Sequence, residues 1–406
     1  MNNGAIILAT NKNTQDKAQK PFAMHEILLS PIIDLLISAV KNSGTDDICV
    51  ITDSDQVKNH INGRVSLIAD SVLSAENFIR QHKDGNLLLF GCDKPFIDDK
   101  TLVSAMNHHT EKENDVTAIS SKTNITVGYC FKAETLINIL PKLSNSVSLE
   151  ECIDRICNCG IYISENENIG LCADSASQIH RLGEIARIEI LKKKITDGVY
   201  IPCFDGIIIG HGCKIGKGTK ILPNTIICKN ASIGENCTLG PNSYVENARI
   251  GSSVIFNNSQ IRNAEIKDNA NIGPFVHIRP DSVIGNNVHL GNFVEVKNSS
   301  IDSDTSVSHL TYVGDSDVGK NVNFGCGVVT VNFNGKTKNR TVIKDRAFIG
   351  CNTNLVAPVT VGENSYTAAG STITEDVPDN SLAIARERQT NKYGWVKEKQ
   401  PYRKKV

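Results

Sequence analysis

The stretch SVSHLTYVGD, residues 306–315, contains two side chains that are suited to proton chemistry. His309 carries an imidazole, the side chain whose unperturbed pKa lets it take up and release a proton near neutral pH. Tyr312 follows three residues later and carries a phenol. A lone histidine is more often structural than catalytic, so the neighbours of His309 decide between a structural role and that of a general base.

Two cations precede this stretch at a spacing of eighteen residues, Arg279 in HIRP and Lys297 in VEVKN. If eighteen residues make one turn of a coil, the two side chains stack about 4.8 Å apart, the distance between neighbouring strands. Two cations at that distance repel each other unless an anion lies between them. A phosphate or carboxylate ligand is one interpretation, and a solvated ladder of charges is the other. Glu295 stands two residues before Lys297, so in a strand it faces the same way.

The eighteen-residue coil is predicted by a six-residue repeat in the second half of the chain. Aliphatic residues recur at every sixth position in three registers, which are Ile209, Ile215, Ile221, Ile227, Ile233, Leu239 and Val245, then Ile272, Ile278, Ile284, Leu290 and Val296, then Ile343, Ile349, Leu355 and Val361. Neither an α-helix nor a simple strand has this period. A chain wound into a triangular coil does, with one aliphatic residue on each side pointing inward. The repeat therefore predicts a hexapeptide parallel β-helix.

A polar segment, VNFNGKTKNRT at residues 331–341, interrupts this repeat. Insertions in repeat proteins leave the coil as loops, often on the binding side. Asn332 and Lys338 in this segment are therefore expected to reach a ligand that is bound beside Arg279 and Lys297.

The first half of the chain alternates strand-like with helix-like segments. AIILAT, DICVIT, NLLLFG and ITVGYCF have the composition of strands, and SPIIDLLISAVKNSG and SAENFIRQHKDG have that of helices. This alternation predicts a mainly parallel sheet that is covered by helices on both faces. The stretch QIHRLGEIARIEILKKKITDG then predicts one amphipathic connecting helix. We expect four segments: an α/β domain over 1–185, a linker helix over 186–203, the β-helix over 204–385 and a tail over 386–406.

Composition excludes several classes of protein. The net charge of −1 and the near-neutral pI do not predict a basic face for nucleic acid. The first residues, MNNGAIILAT, have neither the basic start of a signal peptide nor the length of a membrane span, so a cytoplasmic protein is expected. The thirteen cysteines are scattered, and the cluster Cys152, Cys157 and Cys159 lacks a second pair at zinc-finger spacing. Reduced thiols are the preferred interpretation over a metal site.

The second half, from about residue 187, also resembles a known family. The similarity covers essentially the whole β-helix and is carried by IGPFVHIRPDSVIG, HLGNFVEVKNSSI, HLTYVGDSDVGKNVNFGCG, FIGCNTNLVAPVTVG and SLAIARERQTNKYGW. These stretches resemble the acetyltransferase half of the bifunctional N-acetylglucosamine-1-phosphate uridylyltransferase/glucosamine-1-phosphate N-acetyltransferase family.

The resemblance implies a left-handed β-helix that trimerises, with sites in clefts between subunits. It implies that acetyl-CoA, as cosubstrate, donates an acetyl group to the amine of glucosamine 1-phosphate. The implied sites are Arg279 and Lys297 for the sugar phosphate, Tyr312, Asn323, Asn332 and Lys338 for the rest of the sugar, His309 as general base, and Cys326, Cys351, Ala369 and Arg386 along the acetyl-CoA path. A base is needed because the amine is mostly protonated at neutral pH. Backbone N–H groups near Gly325–Gly327 are expected to stabilise the oxyanion.

The resemblance extends to the family's N-terminal uridylyltransferase domain, which joins UTP to N-acetylglucosamine 1-phosphate with Mg²⁺. The stretch that matches its glycine-rich nucleotide loop, LATNKNTQDKAQKPFAMHE, has no glycine or arginine, and its cations are Lys12, Lys17 and Lys20. Phe22 stands where the family has a catalytic lysine. Asp93 in LLLFGCDKPFID matches a Mg²⁺ ligand, whereas the second ligand, an asparagine, is not evident. This pattern predicts an inactive domain, with Mg²⁺ required only if the domain works.

Three functions stay open at the level of the sequence. They are an acetyltransferase alone, a bifunctional enzyme with a divergent uridylyltransferase half, and a non-catalytic hexapeptide scaffold that binds a partner or a sugar nucleotide. The combination of cations, imidazole, phenol and Asn332 argues against the scaffold. The missing glycines argue against the bifunctional enzyme.

Overall fold

The chain folds into two compact units. The structure, a computed structural model, describes residues 2–10, 20–143, 152–153, 158–173 and 175–399. The first unit is Met1–Lys192 with Ile209–His211, and the second is Lys193–Ile208 with Gly212–Val406. This division lies within the helix Ala176–Thr196. The four segment ranges given above stay a prediction.

The first unit is an α/β domain. Its central sheet has the strand order Leu67–Ala69, Asp47–Ile51, Gly4–Leu8, Asn86–Gly91, Thr126–Lys132, Val116–Ser120 and Cys159–Ile163, and a small hairpin pairs Glu26–Ile27 with Ser30–Pro31. Its helices are Phe22–Met24 (a 3-10 turn), Ile32–Asn42, Asp55–Ile61, Glu76–Gln81, Asp99–Glu111, Ala133–Leu143 and Ala176–Thr196. Among the helices of the described ranges, none is long and apolar enough to cross a membrane.

Apolar cores lie on both faces of the central sheet, as predicted. The successive residues Ile6 and Ile7 belong to two different clusters of buried side chains, because neighbouring residues of a strand point to opposite faces. The sheet is mainly parallel, but Thr126–Lys132 runs antiparallel to both of its neighbours. The short link from Ser120 to Thr126 explains one of these pairings, since it allows a hairpin and is too short for a parallel crossover.

The second unit is a left-handed parallel β-helix with three sheets. We name them coil sheets 1, 2 and 3 in the order in which the chain visits them. Coil sheet 1 contains Ile208–Ile209, Ile226–Ile227, Tyr244–Glu246, Gln260–Arg262, His277–Ile278, Glu295–Lys297, Tyr312–Gly314, Val329–Val331, Asn354–Val356 and Thr372–Ile373. Coil sheet 2 contains Lys214–Ile215, Ser232–Ile233, Arg249–Ile250, Ala264–Ile266, Ser282–Ile284, Ser300–Ile301, Ser316–Val318, Thr341–Ile343 and Val359–Val361. Coil sheet 3 contains Lys220–Ile221, Thr238–Leu239, Ile255–Phe256, Asn271–Ile272, His289–Asn292, Ser306–His309, Asn323–Phe324, Phe348–Ile349, Tyr366–Thr367 and Leu382–Ala383. A short helix, Trp395–Lys399, follows the β-helix.

The register confirms the predicted coil. His277 pairs with Glu295 at a separation of eighteen residues, and Glu295 pairs with Tyr312 at seventeen. The aliphatic residue of each hexad points inward, and Ile278, Val296 and Val313 are fully buried. Each strand alternates one inward residue with outward neighbours, so side chains at equivalent positions of successive coils form outward columns.

The corners between sheets hold residues in the left-handed backbone conformation. Asparagine is frequent there, because its short amide tolerates a positive φ better than most side chains. At the corner from coil sheet 1 to coil sheet 2, which we call corner 1–2, the sequence of such residues is Gly212, Asn230, Asn247, Asn263, Asp281, Asn298 and Asp315. At the corner from coil sheet 3 to coil sheet 1, corner 3–1, it is Gly206, Asn224, Asn242, Asn258, Phe275, Phe293, Leu310, Gly327, Asn352 and Gly370.

Candidate active site

Coil sheet 1 carries the predicted cations in one outward column. Ile278 pairs with Val296, so Arg279 and Lys297, the next residues of each strand, stand at equivalent positions of adjacent coils. The Arg279 guanidinium Nη1 lies 2.7 Å from Glu295 Oε1, which therefore compensates one of the two charges. Both cations are partly exposed and face outward. The stacking that was expected from the spacing is present.

A third cation reaches this column from the polar segment. Lys338 is exposed and lies close enough to Lys297 for the two ammonium groups to interact, which lowers the pKa of Lys338. The charge of Asp315 acts in the opposite direction and raises that pKa. Arg279, Lys297 and Lys338 thus form a cationic group around a small outward surface. An anionic ligand such as phosphate would relieve their mutual repulsion.

The polar segment forms a small hairpin rather than an irregular loop. It leaves the coil after Val329–Val331, and an antiparallel bridge joins Phe333 to Lys338. The Asn334 side chain accepts hydrogen bonds from the backbone N–H groups of Lys336 and Thr337 and closes the turn. The prediction that the polar segment leaves the coil is confirmed for the residues between Val331 and Thr341, two residues that themselves remain in coil strands.

A buried carboxylate lies where this hairpin joins the coil. Asp315 is only 5% exposed, and its two oxygens accept hydrogen bonds from Asn298 Nδ2 at 2.5 Å and from Asn332 Nδ2. Asn332 Nδ2 also lies 3.4 Å from the Tyr312 hydroxyl. The structure therefore connects Tyr312 and Asn332, which were both predicted to bind sugar, through one amide group.

His309 is the last residue of the coil sheet 3 strand Ser306–His309 and lies at corner 3–1. Its side chain is exposed, and the residues at the same place in the following coils are Cys326, Cys351 and Ala369. Backbone hydrogen bonds connect these coils, from Gly327 N to His309 O, from Asn352 N to Cys326 O and from Gly370 N to Cys351 O. The predicted base and three of the predicted acetyl-CoA residues thus form one continuous corner column.

Two of the N–H groups in the range that was expected to stabilise the oxyanion, those of Gly325 and Gly327, are already engaged, and for the rest of the range the hypothesis stays a prediction. Gly325 N donates to Ile349 O at 2.7 Å, and Gly327 N donates to His309 O at 3.4 Å. Both N–H groups are used in the ladder between coils, as parallel sheets require. They are therefore not free to donate to a reacting carbonyl.

The two remaining predicted residues lie away from the cation column. Asn323 faces outward from coil sheet 3, between Ser306 and Phe348 of the adjacent coils. Arg386 is exposed, and its side chain passes over Gly370, the residue after Ala369. Asn323 therefore lies on coil sheet 3, the sheet whose strand Ser306–His309 ends at His309. Arg386 lies beside Gly370 and so extends the corner column.

Two residues that connect the elements of this site, Asp315 and Arg340, were not predicted from the sequence. Asp315 was not singled out, although it is a carboxylate at a corner where asparagine is usual. Arg340, at the end of the polar segment, makes two hydrogen bonds to the carboxylate of Asp317 at 2.6 and 2.5 Å and also donates to the backbone oxygens of Asn298 and Ser316. This contact lowers the pKa of Asp317. The available signal for Arg340 was its charge at the end of the polar segment, and that for Asp315 was a carboxylate at a corner where asparagine is usual.

In the first unit, Asp93 lies beside a lysine and a thiol. Asp93 Oδ2 is 3.3 Å from Lys94 Nζ and 3.8 Å from Cys172 Sγ. Burial lowers the pKa of Lys94, but Asp93 and Cys172 together outweigh it and leave that pKa raised. The described residues include no group of three side chains that could hold a metal ion. At nucleotide sites Mg²⁺ is usually bound by one or two carboxylates together with substrate phosphates and waters, so the role of Asp93 as a Mg²⁺ ligand stays a prediction.

The nucleotide loop of the prediction is described only at its ends. Lys12 and Lys17 lie outside the described residues, as does Cys157 of the cysteine cluster. Lys20 Nζ lies 3.5 Å from Glu26 Oε1, and Phe22 opens the short turn Phe22–Met24.

Comparisons with known proteins agree with the coil and extend over the whole chain. The family model for the bacterial transferase hexapeptide (six repeats) matches residues 206–240, 263–298 and 340–375, and the hexapeptide repeat of succinyl-transferase matches 230–256. A solved putative glucose-1-phosphate thymidylyltransferase from Bacillus anthracis covers 46% of this chain and 95% of its own, at 13% identity and a TM-score of 0.38. The fold and the repeats define the class, which is a hexapeptide-repeat transferase with an N-terminal α/β domain.

The family follows from full-length relatives. The chain is 36% identical to the bifunctional protein GlmU of Acetivibrio thermocellus, with 97% of this chain and 96% of that protein aligned. It is 33% identical to the bifunctional protein GlmU of Clostridium acetobutylicum, over 97% and 98% of the two chains. The chain therefore belongs to the family of bifunctional GlmU proteins. The first alignment spans 447 positions, more than the 406 residues of this chain, because the relative has segments that this chain lacks.

Proposed function

We propose that the β-helix catalyses the acetylation of the amine of glucosamine 1-phosphate by acetyl-CoA. The observation that carries this proposal is the cationic group of Arg279, Lys297 and Lys338 on coil sheet 1, together with the column that starts at His309 at the corner where that sheet begins. The cations suit a phosphate, and the imidazole suits the amine of the same small molecule. Membership of the GlmU family supports this choice of substrates. The product would feed the synthesis of UDP-N-acetylglucosamine, a peptidoglycan precursor, in the cytoplasm.

The proposed mechanism needs one base and one binding surface. Arg279 and Lys297 hold the phosphate, so that the sugar lies along coil sheet 1 with its amine toward corner 3–1. His309 takes a proton from the substrate ammonium, which gives nitrogen the lone pair that attacks the thioester carbonyl. The C–N bond forms and the C–S bond breaks. The imidazolium returns this first proton to the leaving thiolate, and the acetylated nitrogen, which carries a positive charge after the attack, releases its second proton to solvent.

Thiol modification tests the proposed path of acetyl-CoA. Cys351 is exposed and Cys326 is partly exposed, whereas burial raises the pKa of Cys49 and of Cys130 to about 12. N-ethylmaleimide should therefore modify the corner thiols, along with other accessible thiols such as that of Cys159, and spare the buried ones. Because the adduct displaces the thioester, we expect acetyl transfer to fall at least roughly tenfold, with protection by acetyl-CoA.

A matched variant assigns this effect to the corner column. In the double variant Cys326→Ala with Cys351→Ser, the ratio of treated to untreated activity should stay near one. Mass spectrometry establishes when Cys351 is completely modified. If the wild-type protein then still has full activity, the proposed path of acetyl-CoA is refuted.

We propose that the active form is a homotrimer. At corner 3–1 the asparagine column gives way to Phe275, Phe293 and Leu310, which are 54%, 56% and 59% exposed. The two phenyl rings stack with their centroids 5.1 Å apart. A large apolar residue in the left-handed conformation is costly, by roughly 1–2 kcal/mol. Exposed and strained side chains next to His309 suit a contact with another copy of the chain.

Asparagine substitution tests this contact. The same corner carries asparagine at residues 224, 242 and 258, so the double variant Phe275→Asn with Phe293→Asn should keep the coil. We expect the molar mass measured by light scattering to fall from that of a trimer to that of a monomer. A variant that folds and stays trimeric would exclude these two residues from the contact.

A second candidate function is uridylyl transfer by the first unit. It is favoured by the relatives, which are bifunctional proteins aligned over nearly their whole length. The loop without glycine and the pairing of Asp93 with Lys94 argue against it. We therefore propose a degenerate nucleotidyltransferase domain, and Mg²⁺ is needed only if that domain is active.

Two assays separate the three candidate functions. Thiol release from acetyl-CoA in the presence of glucosamine 1-phosphate reports acetyl transfer, and pyrophosphate release from UTP with N-acetylglucosamine 1-phosphate and Mg²⁺ reports uridylyl transfer. We expect the first signal without the second. If both signals appear, the protein is the bifunctional enzyme. If neither signal appears, the non-catalytic scaffold is the remaining candidate.

A further inference from the structure

We propose that Asp315 is a positioning residue which fixes Asn332 as a hydrogen-bond acceptor for the amino sugar phosphate. The inference rests on the proposed acetyltransferase function and adds a residue to its sugar site. Asp315 does not contact the substrate surface itself, because it is buried beneath the hairpin. It acts through the amide of Asn332.

The chemistry of the carboxylate fixes the orientation of the amide. An ionised carboxylate only accepts hydrogen bonds, so the group of Asn332 that faces it must be the NH₂ group. The same nitrogen lies 3.4 Å from the Tyr312 hydroxyl. Its two N–H donors are thus directed at Asp315 and Tyr312. Within the described part of the chain, Asn332 Oδ1 receives no hydrogen bond, and it is the polar atom left for a hydroxyl or ammonium group of the sugar.

Position 315 carries a carboxylate at a corner where asparagine is the usual residue, and Asp281 is the other carboxylate described at that corner. Asn247, Asn263 and Asn298 occupy the equivalent place in earlier coils, with φ of 46°, 48° and 45°, close to the 49° of Asp315. Asparagine fits the backbone there. Unlike a carboxylate, it also offers an NH₂ group to its neighbour, so it does not define which end of the Asn332 amide points to the ligand. The carboxylate removes this ambiguity.

Asp315 also affects the charge of the hairpin lysine. The groups that act on Lys338 are Lys297, Asp315 and Tyr312. Lys297 lowers the pKa of Lys338 and Asp315 raises it, so loss of the Asp315 charge lowers this pKa further. Lys338 would then lose its proton at a lower pH, and the affinity for the phosphate would begin to fall at a lower pH.

The test is the variant Asp315→Asn, which the corner should accept without unfolding. We expect the Kd of glucosamine 1-phosphate, measured by calorimetry without acetyl-CoA, to rise roughly tenfold, the typical loss of a hydrogen-bonded charged group. The KM for acetyl-CoA should change less than about twofold. The pH at which the KM for the sugar phosphate starts to rise should move downward.

Asp281→Asn, at the same corner position but exposed, is the matched control and should leave these values unchanged.

The swapped variant Asp315→Asn with Asn332→Asp separates positioning from mere packing. It keeps the charge and the hydrogen bond of the pair, and it still offers an oxygen acceptor at position 332. We expect it to recover most of the lost affinity. A Kd within twofold of wild type in Asp315→Asn, or a swapped variant no better than Asp315→Asn, would overturn the inference. If the wild-type protein does not bind glucosamine 1-phosphate, the proposed function itself fails, and the inference fails with it.

Discussion

Replacement of His309 by alanine should lower kcat for acetyl transfer by roughly 10²–10⁴, the usual contribution of a positioned general base. The exposed imidazole stands at the start of the corner column and beside coil sheet 1, where the amine of a bound sugar phosphate is expected. Without it, the substrate ammonium must lose its proton to water before attack. The KM values should change much less, because the imidazole contributes to the transition state more than to binding.

The pH dependence of this variant gives a second readout. The deficit should shrink as the pH rises, because a growing fraction of the free amine is then already deprotonated. His289→Ala is the matched control, since His289 lies one strand earlier on the same coil sheet and is not part of the proposed site. A His309→Ala enzyme with near wild-type kcat would remove the base from the mechanism.

Replacement of Arg279 or Lys297 by alanine should mainly raise the KM for the sugar phosphate. A charge-assisted hydrogen bond contributes about 1.5–3 kcal/mol, so we expect an increase of roughly tenfold to a hundredfold for each variant, with kcat less affected. Arg279→Ala should have the larger effect. It leaves the Glu295 carboxylate without its 2.7 Å partner, and that charge then repels the phosphate.

The chain provides matched controls for this measurement. Arg262 stands one coil before Arg279 in the same column, but it lies over the ring of Tyr244 and 3.7 Å from Glu246, so Arg262→Ala should leave the KM unchanged. Removal of Glu295 together with Arg279 should recover part of the lost affinity. An unchanged KM in both Arg279→Ala and Lys297→Ala would show that the phosphate binds elsewhere.

The sequence was sufficient to predict the coil and the columns on it. A six-residue period determines which residue of each hexad points inward. The positions of Arg279, Glu295 and Lys297 on one outward face then follow from counting along the chain. The departure of residues 331–341 from the coil was predicted for the same reason, since a broken period marks an insertion. Local repetition makes the geometry of each coil nearly independent of distant parts of the chain.

The parts that were not predicted depend on contacts between an insertion and the coil. The sequence placed Lys338 near the ligand of Arg279 and Lys297, but the two amides that meet at Asp315 depend on how the hairpin folds back, which no periodicity specifies. The oxyanion hypothesis is excluded for the N–H groups of Gly325 and Gly327, and the sequence did not exclude it there because counting does not show which N–H groups the ladder uses. In the first unit, strand composition predicted the sheet but not the reversed direction of Thr126–Lys132.

A crystal structure of the protein with glucosamine 1-phosphate and coenzyme A tests the central claim most directly. We expect the phosphate within hydrogen-bonding distance of Arg279 and Lys297, and the amine facing a His309 imidazole of the same subunit or of a neighbouring one. A sugar phosphate bound away from both cations, or with its amine beyond the reach of every His309 in the assembly, would contradict the proposal.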